Sequence, residues 1–371
     1  MRHVPALDGL RGLAILLVLA HDYNLLEDAE STAGRLLGLA LNSGWLGVQL
    51  FFVLSGYLIT GILIDTKKAD NYWAAFLGRR AVRIFPLYYA VLFAAFVVAP
   101  LVARAPAGSE HQIWFWTYLA NWAEPFGRSV SIFPHFWSLS IEEQFYLFWP
   151  LVVRRLSPRG LAGVCFGLVI LAVTSRILVR PTEIGTGAAY MFTVCRVDAL
   201  ALGAAGALAV RDERVRAGLL GRRTLLRIAA FALFASTFVV TRGAPRTGIW
   251  TQTFGYTVFA IVFAYAVVDA ALGRDEERFV RVLSASPLGA VGRYSYGMYV
   301  FHTPLHLLVG LPAIASLSGI DAHGPHGIAF SLAYFLGATA VTFVLALASY
   351  HLLEKHFLAL KARIAPRVHT R

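Results

Sequence analysis

Apolar runs close to the twenty residues that a bilayer requires recur along the whole of this chain, and they restrict it to a helical membrane fold. Of its 371 residues, 58% are hydrophobic and only 15% are charged. Soluble domains carry about 25% charged residues. The approximate span cores are 10–26, 45–64, 84–102, 136–153, 161–179, 190–210, 225–240, 250–272, 288–311 and 328–353. The run 113–122 is aromatic and apolar but short, which suits an interfacial or re-entrant piece. The expectation is an all-α integral membrane protein: one domain over 1–371, a bundle of about ten transmembrane helices, lodged in the cell membrane. The first apolar run reads as a retained span rather than a cleaved signal.

Basic residues set the orientation. With a cytoplasmic N-terminus, 25 of the 33 lysines and arginines fall in or beside inside segments. They run from Arg2 and Arg11 through Arg79, Arg80 and Arg83 and the group 211–227 to Lys361, Arg367 and Arg371. The positive-inside rule then puts both termini in the cytoplasm. The net charge of +12 follows mostly from this topology. Dispersed among short loops, it forms no basic domain and speaks against nucleic acid as a partner. Cys165 and Cys195, the two cysteines, lie in apolar runs and suggest neither a disulfide framework nor a metal site.

Against this background, ionisable groups inside spans stand out, because charge in hydrocarbon is costly and normally lines a site or pathway. Glu142, Glu143 and Gln144 interrupt the apolar run that begins at Trp137. His21 lies about 15 Å beyond Arg11 along a helix of 1.5 Å rise, near mid-membrane. A neutral imidazole there can take a proton from a hydroxyl and return it, or can serve an interhelical hydrogen bond. Asp22 follows it and can tune or orient a partner. Ser55-Gly56 allows close backbone approach and lacks nucleophile-elbow geometry. Arg79, Arg80 and Arg83 form a cluster before Phe85-Pro86-Leu87-Tyr88-Tyr89. Such a cluster suits phosphate recognition through the guanidinium fork and equally suits a membrane-surface anchor. Arg196 and Asp198 share a span and must find partners. Another span carries Ser295, Tyr299 and His302.

These blocks, in this order, resemble acyltransferase family 3, a family of multi-pass membrane enzymes. The resemblance rests on Asp8-Gly9-Leu10-Arg11 with His21, Phe51 to Ile59, Arg79-Arg80 to Tyr89, Trp137 to Tyr146, Arg196 to Leu200, and Tyr294 to Tyr299 with His302. It covers nearly the whole chain. It implies transfer of an acyl group, commonly acetyl from acetyl-CoA or another acyl-CoA, to a hydroxyl of a sugar, glycan or metabolite. No cofactor would be held permanently. The chain looks like the stand-alone form, without an attached extracytoplasmic esterase-like domain. His21 is then the expected general base, with Glu142 or Glu143 holding the imidazole or the acceptor. The expected binding residues are Arg11, Arg79, Arg80, Arg83, Arg196, Asp198, Ser295, Tyr299 and His302. Two features depart from the family pattern. Only nine residues separate Arg11 and His21, which leaves them about 80° apart around a helix. Gln49 stands where an acidic residue is common. A multi-pass transporter of an acyl donor or glycan is the alternative. It would show inverted repeats and matching broken spans, which the sequence lacks.

The orientation is directly testable. A fluorescent protein fused after Arg371 should fluoresce and a periplasmic phosphatase fused there should be inactive; the reverse pair of results would overturn the topology.

Overall fold

A computed structural model describes residues 3–26, 29–274, 276–316 and 327–365. The described residues form helices, turns and loops, with no strand among them. Arg2, Arg367 and Arg371, and with them both chain ends, lie outside the described residues.

Numbered in chain order, the longer helices are α1 (Pro5–Asp22), α2 (Thr32–Asn42), α3 (Leu46–Asp65), α4 (Tyr72–Phe93), α5 (Phe136–Arg155) and α6 (Pro158–Val179). They continue with α7 (Thr193–Ala209), α8 (Arg223–Val240), α9 (Tyr256–Leu272), α10 (Ser286–Leu305) and α11 (Gly327–Ser349). Proline opens α1 and α6, where an N–H is not needed. Ser31 and Ser157 cap α2 and α6 by accepting from Gly34 N and Gly160 N. Eight helical stretches are long and apolar enough to cross a membrane. Two further helices, α1 with 18 residues and α5 with 20, have the length but carry several charges each, including Asp8, Arg11 and Asp22, and Glu142 and Glu143. The run 113–122 makes two four-residue helices, Ile113–Trp116 and Ala120–Ala123, too short to cross.

Two expected boundaries differ. The span expected at 84–102 begins at Tyr72, so Arg79, Arg80 and Arg83 stand on the body of α4 rather than ahead of it. Alanine and arginine are good helix formers and continue the helix through the cluster. The span expected at 190–210 is broken at Phe192, whose backbone is extended, between Gly185–Met191 and α7. Side chains satisfy the break. Asn121 Nδ2 donates to Met191 O at 3.1 Å and to Thr193 Oγ1 at 2.9 Å, and Gln144 Nε2 donates to Asn121 Oδ1 at 2.8 Å.

Helix α3 occupies the centre, packed on α1, α5, α7 and α9, while α1 also packs on α10 and α10 on α11. The most extensive contact is α3 on α7. A Cβ on Gly56 would strike the Leu200 carbonyl oxygen, and one on Gly203 would strike the Val53 carbonyl oxygen. Small residues of this kind let membrane helices approach backbone to backbone.

Beside that contact lies a fully buried ion pair between α6 and α7. Arg176 Nη1 meets Asp198 Oδ2 at 2.9 Å. Thr257 on α9 donates to the same carboxylate oxygen at 2.6 Å, and Ala199 N donates to Asp198 Oδ1 at 2.9 Å. Nearer the membrane surface, Arg223 and Arg227 of α8 both pair with Asp269 of α9 and with Glu277 in the following loop. The Arg227 guanidinium holds the Glu277 carboxyl below its ordinary range.

Removing one member of a buried pair strands the other, at about 3–5 kcal/mol. Asp198→Ala should therefore lower the unfolding temperature in detergent far more than the double change Arg176→Met/Asp198→Leu. Equal unfolding temperatures for wild type and Asp198→Ala would show that the pair does not hold α6 to α7.

Candidate functional site

Three cavities lie end to end through the bundle, joined by shared lining residues. The first, about 620 Å³, is lined by His3, Asp8, Arg11, Arg79, Arg80, Arg83 and Lys361 among others. Helix α4 supplies three of these guanidiniums at positions 79, 80 and 83, and α1 supplies Arg11 across from them. Asp65 and Asp8 temper the charge, with Asp8 Oδ1 at 3.4 Å from Arg11 Nη1. Cations remain in excess, so this chamber attracts a multiply charged anion.

Arg11, Arg80 and Arg83 also line the second cavity, of about 100 Å³. Here α3, α5 and α10 contribute Ser55, Ser138, Glu142, Tyr146, Ser295 and Tyr299. Tyr146 donates to Glu142 Oε2 at 2.9 Å and also meets the Ser55 hydroxyl, and the Arg80 guanidinium lies 5.1 Å from the Tyr146 ring centroid. Ser295 is committed to its own helix through the Gly292 carbonyl at 2.8 Å. Ser55 is likewise held in place as a hydrogen-bonding wall residue.

Val48 and Tyr299 form the neck into the third cavity, about 160 Å³. The Tyr299 hydroxyl is shared with Ser138 Oγ at 2.5 Å and His135 O at 3.0 Å, and its ring packs edge-on against Phe51. This distal chamber is lined by His21, Asp22, Trp45, His135, Trp137, Tyr190, Arg246 and His306 among others. Behind its wall, His302 is fully buried. Its Nε2 meets Asp22 Oδ2 at 2.7 Å and its Nδ1 meets the Tyr299 carbonyl at 2.6 Å. A carbonyl can only accept, so Nδ1 carries hydrogen, and both His302 nitrogens are engaged.

Arg11 and His21 thus face opposite ends of the row, although both sit on one uninterrupted α-helix. The structure gathers Arg11, Arg79, Arg80 and Arg83 in the basic chamber, Glu142, Ser295 and Tyr299 in the middle one, and His21 in the distal one. It places Glu143, Arg196 and Asp198 outside all three linings. Asp198 turns to Arg176. Arg196 is fully buried, donates to Gln49 Oε1 at 2.6 Å, and lies within 6.0 Å of the ring centroids of Trp45, Phe52, Trp137, Tyr190 and Tyr256. Gln49 is therefore the guanidinium's hydrogen-bonding partner where an acidic residue would have been its counter-ion.

Several lining residues carry no warning in the sequence. Tyr146 is the exception, since it stands four positions after Glu142, a spacing that puts both on one helix face. His135 and Arg246 come from loops, where no periodicity points at a partner. Tyr190 lies next to the break at Phe192 that the apolar pattern conceals.

Comparison with known proteins fits this arrangement. A family model described as an acyltransferase domain matches residues 4–351. The O-acetyltransferase OatA of Staphylococcus aureus is 27% identical over 328 residues, covering 83% of this chain and 51% of that protein. The peptidoglycan O-acetyltransferase OatA of Listeria monocytogenes is 27% identical over 336 residues, 82% of this chain and 49% of its own length. The putative peptidoglycan O-acetyltransferase YrhL of Bacillus subtilis is 28% identical over 383 residues, 95% of this chain and 55% of its own. The chain thus spans about half the length of these curated relatives. No solved structure matches. With a match over nearly its entire length, the chain belongs to acyltransferase family 3 and is a multi-pass helical member of it.

Proposed function

We propose that this protein is an O-acetyltransferase of the cell membrane, moving acetyl from cytoplasmic acetyl-CoA to a hydroxyl of a saccharide. The row of three cavities, cationic at one end and histidine-lined at the other, carries the reading. Relatives whose names specify O-acetyl transfer, some of them to peptidoglycan, support acetyl as the group and a saccharide as the acceptor.

The 3′-phosphate and pyrophosphate of the donor rest on Arg11, Arg79, Arg80 and Arg83, whose forks bind oxyanions in two-point fashion. The pantetheine arm passes Glu142 and Tyr146 and brings the thioester to the Tyr299 neck. The acceptor occupies the distal chamber. His21 takes the hydroxyl proton as the oxygen attacks the thioester carbonyl; the carbon–sulfur bond breaks and the CoA sulfur leaves, recovering a proton. Asp22 and His302, each holding the other, fix the end of α1 beside His21. His302 itself has both nitrogens engaged and serves to hold Asp22.

Purified protein in detergent should release CoA from acetyl-CoA in the presence of soluble saccharide. His21→Ala should reduce turnover by about 100-fold or more, the usual worth of a positioned base, while the protein still inserts and purifies. Near-normal turnover would remove His21 from the mechanism.

Donor binding has a separate test. Arg→Gln at 79, 80 or 83 should raise the acetyl-CoA KM by about tenfold with a smaller change in kcat, the pattern of lost uniform binding. Arg→Lys should recover only part of this. If these residues merely anchor the helix, lysine will restore the protein fully and the donor KM will stay constant.

A further inference from the structure

The distal chamber holds a guanidinium that the reaction above does not use. Arg246 lies in the loop between α8 and α9, and its neighbourhood is fastened from several sides. Trp45 Nε1 donates to Ala244 O at 2.9 Å, Tyr256 donates to Arg246 O at 2.7 Å, and Arg180 Nη2 donates to Thr247 O at 3.2 Å. Arg246 lines the chamber, and its guanidinium, bonded to the Tyr190 side chain, lies 5.2 Å from the Tyr190 ring centroid. Among the described residues no carboxylate forms an ion pair with it. Asp22, the carboxylate in the chamber lining, is taken by His302 at 2.7 Å.

We propose, resting on the acetyl-transfer reading, that the distal chamber selects an acceptor sugar that carries an anionic group, and that Arg246 binds that group. Trp45, Trp137 and Tyr190 are largely buried, and the parts of their faces that line the chamber can meet the C–H surfaces of a sugar. A neutral sugar is satisfied by such faces and by neutral hydrogen-bonding groups. A guanidinium held over one of those rings, without a counter-ion, adds recognition of a carboxylate or phosphate. The donor's phosphates do not account for it, because their cations occupy the opposite end of the row, about 15 Å away along α1. Loss of this contact should leave the ring stacking intact and remove the preference for acid.

Three matched acceptors test this with the full chain and acetyl-CoA: chitobiose, a glucuronosyl-N-acetylglucosamine disaccharide and chitobiose phosphate. Wild-type protein should use one or both acidic sugars with a kcat/KM about tenfold above chitobiose, the scale of one charge-assisted hydrogen bond. Whichever acid is preferred identifies the group as carboxylate or phosphate. Arg246→Gln should bring the ratio to within about twofold of unity, and Arg246→Lys should keep part of it. Arg242→Gln removes the same charge from the same loop but outside the chamber, and should preserve the ratio. Equal use of all three sugars by wild type, or an acid preference that survives Arg246→Gln, overturns the proposal while leaving acetyl transfer standing. Absence of CoA release with every sugar would instead overturn the acetyl-transfer reading, and this inference with it.

Discussion

A hydrocarbon interior offers no water to an ionisable side chain, so each such group must be answered by protein. Much of this structure follows from how those answers are distributed. Arg176 and Asp198 answer one another and recruit Thr257, joining α6, α7 and α9 at one point. Arg196 is answered by five aromatic rings and Gln49 rather than by an anion. The hydrogen-bond fork of Gln49 spends its other end on Tyr256 O at 2.7 Å, so one neutral side chain ties α3 to α7 and to α9. Another set of polar groups, among them Arg11, Arg80, Glu142 and His21, lines the three cavities.

Close helix packing makes this division possible. The α3–α7 contact through Gly56 and Gly203 brings backbones together and leaves no room between them for a side chain. The polar groups of α3 and α7 are therefore displaced to either side of the contact. Asp198 goes to the α6 side and Arg196 to the aromatic cage, while Ser55 faces α5 and the middle cavity. Helices α1 and α5, the two long helices with too many charges for a simple span, line the row of cavities. Their polarity is tolerable because their polar faces look into the protein rather than into lipid.

The row differs in chemistry between its ends. Four arginines crowd the first chamber, whereas the last offers imidazoles, aromatic rings, the lone guanidinium of Arg246 and a single carboxylate already bonded to His302. Such a gradient suits two substrates arriving from different sides and meeting at the neck. Tyr299 stands at that neck: its hydroxyl is held by Ser138 and His135, and its carbonyl holds His302. A change at Tyr299 would thus be felt both at the neck and at the Asp22–His302 pair.

The all-helical membrane class, the rough positions of the spans, the family and the polar blocks could be read from the chain alone. They depend on local properties: run length, composition and short motifs. Glu142 with Tyr146 was legible for the same reason, because four positions on a helix are neighbours in space. The partners were not legible. Asp22 and His302 are 280 residues apart, and Arg176 answers Asp198 although Arg196 stands two positions from it. Helical periodicity tells which residues share a face but not which helix that face meets. The boundary at Tyr72 and the break at Phe192 escaped for a related reason, since apolar pattern marks what lies in lipid and not where a helix starts or yields to a side-chain cap. Packing alone separated Arg196 and Asp198, which serve the bundle, from Arg11, Arg80 and His21, which face the cavities, because burial and pairing are properties of the assembled helices and of no single one.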